Sequence, residues 1–151
     1  MKVEIGPYPS SGDIYKDQFI SVHIDRWDTW NMDNTLAHII LPMLKQLKET
    51  RYGSPTIDDE DVPHLPKQLW ASNEWAQIDM FASETQDELF WAQYEDRWNW
   101  VLGEMIYAFD CKANKDAVYM RFEDRDEMRK EQDRIANGFR LFGKYYEGLW
   151  D

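Results

Sequence analysis

The sequence predicts a mainly helical α+β fold, with three principal helices and a small two-stranded β element at the N-terminus, in a single domain spanning residues 1–151. Three observations lead there. Apolar residues recur with a helical period over three long stretches, strict alternation is confined to two short stretches before residue 26, and turn chemistry falls mostly between these segments. With 43% hydrophobic and 15% aromatic residues, the chain has enough apolar surface to fold despite its 30% charged residues.

The β element comes first. "KVEIGPY" sets Val3 and Ile5 against Lys2 and Glu4, and "FISVHID" sets Ile20, Val22 and Ile24 against Ser21, His23 and Asp25. "PYPSSGDIYKDQ" between them is turn chemistry. Because an isolated hairpin is marginal, its apolar face is expected to rest on other elements, the helices that follow being the candidates.

The first helix is predicted from Asp28 or Thr29 to Thr50, with Leu36, Ile39, Ile40, Met43, Leu44 and Leu47 as its stripe and Gly53 just past its end. Pro42 removes the N–H that would bond the His38 carbonyl and crowds that carbonyl, which predicts a kink. "GSPTIDDEDVPHLPKQL" reads as a loop. From Ser72 to Thr85, Trp75, Ile78 and Phe81 leave a short helix open. A second long helix is predicted from Gln86 to Phe109 on Phe90, Tyr94, Trp98, Val101, Leu102, Met105, Ile106 and Phe109. Gly103 inside it costs about 1 kcal/mol relative to Ala, which a close helix crossing would explain. A connector with a short strand at "AVYMRF" precedes a last helix starting near Arg125, with Met128, Ile135, Phe139 and Phe142 on one face and Gly138 and Gly143 interrupting it.

The net charge of −12 argues against general nucleic-acid or anionic-membrane binding, both of which need clustered Lys and Arg. It suits a solvated acidic surface or a basic protein partner. Cys111 is the only cysteine, so no intrachain disulfide forms, and a reducing cytoplasm is the natural setting. No stretch approaches the ~20 apolar residues of a membrane-spanning helix. The opening "MKVEIGPYPS" turns polar too early for a signal peptide. A cytoplasmic protein is therefore expected.

Catalytic and metal chemistry find little footing. His23, Asp25, Asp28, Asp33 and His38 lie close in sequence but match no zinc spacing, and the acidic run from Asp58 to Asp61 has Pro63 where a calcium loop needs glycine. Asp28 or Asp33 reads instead as a helix cap or first-turn carboxylate. Glu84–Asp87 and Glu123–Asp126 have the E-x-x-D spacing of helical magnesium-dependent nucleotide pyrophosphohydrolases, without the matching E-x-x-E. Cys111 has no His beside it in sequence, no serine occupies a nucleophile elbow, and no glycine-rich phosphate loop is present. No catalytic residue, metal or cofactor is assigned.

Three mixtures of rings and cations are the candidate ligand-binding residues. "IDRWDTW" gives Arg26, Trp27 and Trp30; "EDRWNW" gives Arg97 and Trp100 beside Trp98; the C-terminal stretch gives Arg140, Lys144, Tyr145 and Tyr146. Flat rings stack on bases, and guanidinium groups fork onto phosphates. Trp30 and Trp100 are each spaced to fall off the main stripe of their helix. The competing reading puts Trp27, Trp98 and Trp150 in the core and the arginines in carboxylate pairs.

The blocks "HIDRWDTWNMDNTLAHIILPMLKQLKETRYGSPTIDDEDVP", "RWNWVLGEMIYAFD" and "RIANGFRLFGKYYEGLWD" resemble a family of small proteins of tailed bacteriophages. Members of that family are longer between the two strands and before the last helix. The resemblance implies a phage origin and expression in the bacterial host cytoplasm, and it supplies no catalytic residues. Phage proteins of this size often serve host takeover or counter-defence. The leading expectation is thus a non-catalytic sponge that sequesters a nucleotide-like small molecule. The alternative is an acidic protein–protein inhibitor of a host protein, using the Asp58–Asp61 loop; a magnesium-dependent nucleotide hydrolase is the third. The aromatic surplus also predicts a homo-oligomer.

Overall fold

The computed structural model describes residues 1–6, 18–67, 84–114 and 124–150, the side chains of 84–90 excepted. Its elements run β1 (Lys2–Ile5), β2 (Ile20–His23), α1 (Met32–Thr50), α2 (Glu84–Ala113) and α3 (Arg125–Lys144), with short 3-10 turns at Asp59–Asp61 and Tyr146–Gly148. Three helices and one small antiparallel sheet make the mainly α architecture the sequence predicts. The turn between the strands, the short helix open at Ser72–Thr85 (up to residue 83) and the strand at "AVYMRF" lie outside the described residues. The chain divides into two compact units, Met1–Leu36 and Ala37–Asp151.

In the first unit, β1 and β2 pair antiparallel with Val3 opposite Val22 and Ile5 opposite Ile20. Directly opposed residues share a face, so these four side chains form one apolar face, while Lys2, Glu4, Ser21 and His23 form the other. The Gly6 N–H extends the pairing, donating to the Phe19 carbonyl at 2.8 Å. Among the described residues, Ile5, Ile20 and Val22 of the apolar face are exposed.

α1 begins at Met32, three or four residues later than predicted. The reason is local. Asp25 and Asp28 hydrogen-bond the backbone around them, which holds residues 25–30 in successive turns and delays the helix. Its first bond is donated by Thr35 N–H to the Asn31 carbonyl at 3.0 Å. The helix runs through Pro42 to Thr50.

The second unit is built on α2 and α3, which pack against each other. From α2 come Trp98, Val101, Leu102, Met105, Ala108 and Phe109, all buried; from α3 comes Leu141. Each of these side chains larger than Ala108 stabilises the fold by roughly 1.5–3 kcal/mol through lost contact with water. On α1 the buried stripe is Ala37 and Leu44, with Ile40, Leu41 and Leu47 packed beside them. That stripe is turned relative to the predicted one, and Leu36 and Met43 are exposed. Phe109 meets Phe139 and Phe142 edge to face at 5.1 and 4.9 Å.

The close crossing is not at Gly103, where an added Cβ would meet only the end of the Lys48 side chain. It is at Gly138 of α3, where a Cβ would overlap the Glu104 carbonyl oxygen and the Ala108 Cβ. Arg134 seals the same contact one turn away. Its guanidinium lies 3.7 Å from the Tyr107 ring centre and donates to both Glu104 carboxylate oxygens, at 2.7 and 2.9 Å. Those bonds hold the Arg134 pKa above its ordinary value, against the pull of burial. Asp124 caps α3, accepting from Asp126 N–H at 3.0 Å. Among the described residues, no helix is long and apolar enough to cross a membrane.

Candidate functional site

The nine candidate residues divide between the units: Arg26, Trp27 and Trp30 in the first, and Arg97, Trp100, Arg140, Lys144, Tyr145 and Tyr146 in the second. The two sets are built on opposite principles.

In the second unit the cations are committed to carboxylates. The loop after α1 carries Ile57 and Val62 into the core and with them Asp61, which is buried. Arg140 Nη2, Lys144 Nζ and Tyr145 Oη converge on that carboxylate at 2.5, 2.6 and 2.6 Å. Lys144 also pairs with Asp58 at 2.7 Å, and Tyr145 Oη accepts from Asp58 N–H at 3.0 Å. Burial pushes the Asp61 carboxyl upward, but donation from Lys144, Tyr145 and Arg140 outweighs it and holds the group below the usual carboxylate range. Burial, reinforced by the bond to Asp61, pushes the Tyr145 phenol up to about 12. The bonds to Asp58 and Asp61 raise Lys144 strongly.

Arg97 is 2% exposed and closes the other end of the loop. Its Nη1 donates to the Pro66 carbonyl at 2.7 Å, and its Nη2 donates to the Ile57 carbonyl at 2.9 Å and to Asp59 Oδ1 at 2.6 Å. Among the described residues, its buried Nε has no acceptor. Trp100 is partly buried against the core, with its ring 4.7 Å from that of His64. Tyr145 packs into the core edge to face with Trp98, while Tyr146 leans on Phe142 and is exposed. These residues clamp the 51–67 loop onto α2 and α3. Within the acidic run, Asp58, Asp59 and Asp61 are the counter-charges of the clamp. The signal for this was Ile57 and Val62, whose burial carries Asp61 inward while Asp58 and Glu60 stay exposed.

The first unit presents the contrary case. Trp27 and Trp30 are 62% and 79% exposed, and neither lies on a helix. Their rings stand 6.2 Å apart, tilted by 49°, and the Arg26 guanidinium lies over the Trp27 ring at 4.7 Å. The turn beneath them is tied by five hydrogen bonds. Asp25 N–H donates to Asp28 Oδ2 at 2.7 Å, and Trp27 N–H donates to Asp25 Oδ1 at 3.1 Å. Asp28 N–H and Trp30 N–H close the two turns on the carbonyls of Asp25 and Trp27, at 3.0 and 3.1 Å. Thr29 Oγ1 donates to the Arg26 carbonyl at 3.2 Å. Among the described residues, Arg26 is the one candidate cation without a carboxylate partner.

A hollow of about 510 Å³ is lined by Arg125, Asp126, Met128, Arg129 and Gln132 of α3, and it contains none of the candidate residues. Among the described residues, no group of three His, Cys, Asp or Glu side chains is placed to hold a metal ion. Glu123 and the side chains of Glu84 and Asp87 lie outside the described residues. Compared with known proteins, the chain matches no family model, no curated protein and no solved structure.

Proposed function

We propose that this is a non-catalytic binding protein whose recognition element is the Arg26–Trp27–Trp30 turn and whose partner is a protein with a basic surface. The observation that carries the reading is the pair of tryptophans held outward on a hydrogen-bonded turn with a guanidinium stacked on one of them. Trp and Arg dominate the energetics of protein interfaces, and a frame already rigid before binding loses little entropy on contact. The rings are tilted on an exposed turn, whereas a small ligand needs a concave site that buries most of its surface. The net charge of −12, with Asp25 in the turn itself, favours a cationic partner, while the Asp28 carboxylate is held by the N-terminal ammonium at 2.6 Å. The resemblance to tailed-phage proteins supports a host protein as that partner, in a counter-defence or takeover role.

A second reading keeps the nucleotide-like small molecule. It is favoured by Arg26, which has no carboxylate partner among the described residues and lies over Trp27, with the Trp30 ring exposed nearby. Sequestration would then rest on Arg26, Trp27 and Trp30 rather than on all nine residues.

The test compares wild type with the triple variant Arg26→Ala, Trp27→Ala, Trp30→Ala. Each protein is immobilised and exposed to bacterial lysate, and any species retained is titrated in purified form. The expected result is one species held by wild type, weakened about 100-fold or more in the variant, and weakened by added salt. Retention of the same species with equal affinity by the variant rejects the turn as the recognition element. Thermal shift with cyclic dinucleotides and ADP-ribose derivatives tests the second reading; a stabilisation that disappears in the variant would move the assignment to a small ligand.

A further inference from the structure

The turn does not account for the apolar face of the β1–β2 ribbon. Val3, Ile5, Ile20 and Val22 share that face by register, and Ile24, one residue past the end of β2, continues the alternation in sequence. Ile5, Ile20, Val22 and Ile24 keep 49%, 60%, 54% and 51% of their surface in water. A two-stranded ribbon is marginal by itself, and an aliphatic face left in water removes the main force that would hold it.

We infer that this face is covered by a second copy of the chain, in a two-fold interface where ribbon meets ribbon. Charge and area carry the choice of occupant. Each copy bears a net charge of −12, so two copies approach favourably only through a surface free of like charges. The apolar face has no ionisable side chain, whereas the opposite face of the same ribbon carries Lys2, Glu4 and His23. A basic partner is drawn to carboxylates, which flank the tryptophan turn and are absent from this row of Val and Ile. The four isoleucine and valine residues expose on the order of 400 Å² per copy, about 800 Å² for the pair, the size of a weak, reversible interface. A two-fold contact is also self-complementary by construction: Ile20 and Val22 of one copy meet the same row of the other.

The experiment is sedimentation velocity of the full chain over a concentration series, with far-UV circular dichroism as the check on folding. Wild type is expected to sediment at twice the 18.2 kDa chain mass at high concentration and to dissociate on dilution. Val22→Lys places a charge in the middle of the face and is expected to give monomer with an unchanged helical spectrum. Ser21→Lys, on the opposite face, is expected to leave the dimer intact. If Val22→Lys fails to fold, the milder pair Ile20→Ala and Val22→Ala reads the same surface and should raise the dissociation constant about tenfold or more. A wild type that is monomeric at every concentration overturns the inference, as does a Val22→Lys protein that folds and remains dimeric. Loss of the dimer in the Trp27→Ala, Trp30→Ala protein, with Val22→Lys still dimeric, would put the second copy on the turn and reject the ribbon. Dimer formation and partner capture are read separately, so failure of one leaves the other standing.

Discussion

Asp61 sits where a carboxylate is costly unless its oxygens are occupied. Replacing the carboxylate by an amide leaves Arg140, Lys144 and Tyr145 with one neutral oxygen where two charged ones accepted their bonds. Asp61→Asn is therefore expected to lower the free energy of unfolding by about 2–4 kcal/mol at pH 7, read by urea titration. The sign of the pH dependence follows from the direction of the shift. The folded-state pKa of Asp61 lies below the unfolded value of ~3.9, so its contribution is fully present above that value and is lost as the pH falls through the folded pKa. Wild type should lose stability steeply below about pH 4, and Asp61→Asn less steeply. At the other extreme, Tyr145 titrates near 12 rather than 10.0. Its contribution is present below pH 10 and fades as the pH rises through 12. An acid limb of the same slope in wild type and Asp61→Asn would show that the clamp carries none of this dependence.

At the scale of elements, the two glycines of α3, Gly138 inside the helix and Gly143 in its last turn, separate a packing requirement from a propensity cost. Gly138 lies against the Glu104 carbonyl and Ala108 of α2, while Gly143 has nothing near it. Gly138→Ala is expected to destabilise by about 2–4 kcal/mol, because the helices must part to admit the methyl group. Gly143→Ala is expected to stabilise by about 0.5–1 kcal/mol, since alanine loses less backbone freedom in a helix. Thermal unfolding of both variants checks the contrast, and equal effects would refute the crossing. The same pair marks what the sequence made legible. The helices and strands followed from period 3.6 and period 2, and Trp98, Val101, Leu102, Met105 and Phe109 followed from the α2 stripe. Which glycine carries the crossing did not, because it depends on the relative placement of two helices distant in sequence. The site divided in the same way. Ring and cation clusters are visible in the sequence, but whether a cation is consumed depends on partners such as Asp61, 79 residues from Arg140. Arg26, Trp27 and Trp30 stay outward because Asp25 and Asp28 bond their own backbone, a local pattern first read as a helix start.

At the scale of the molecule, the excess of 29 acidic over 17 basic residues sets how the protein responds to salt. The ion pairs that matter most for the fold are shielded from solvent on at least one side: Asp61 is 3% exposed in its pairs with Arg140 and Lys144, and Arg97 is 2% exposed in its pair with Asp59. Buried pairs are screened weakly, whereas repulsion among surface carboxylates is screened within a Debye length of ~10 Å at 0.1 M salt. The two effects therefore separate. Raising sodium chloride from about 20 to about 200 mM is expected to stabilise the protein by about 1 kcal/mol, a rise of about 2–4 °C in Tm. Measured over a range of protein concentrations, the gain has two parts. The part from relieved self-repulsion does not depend on concentration. A part that grows with concentration is what the proposed ribbon-to-ribbon association would add, because screening also eases the approach of two acidic copies. A Tm that falls with added salt would mean that exposed attractive pairs outweigh the surplus of negative charge, and that the fold is held by its surface rather than by the clamp and the α2–α3 core.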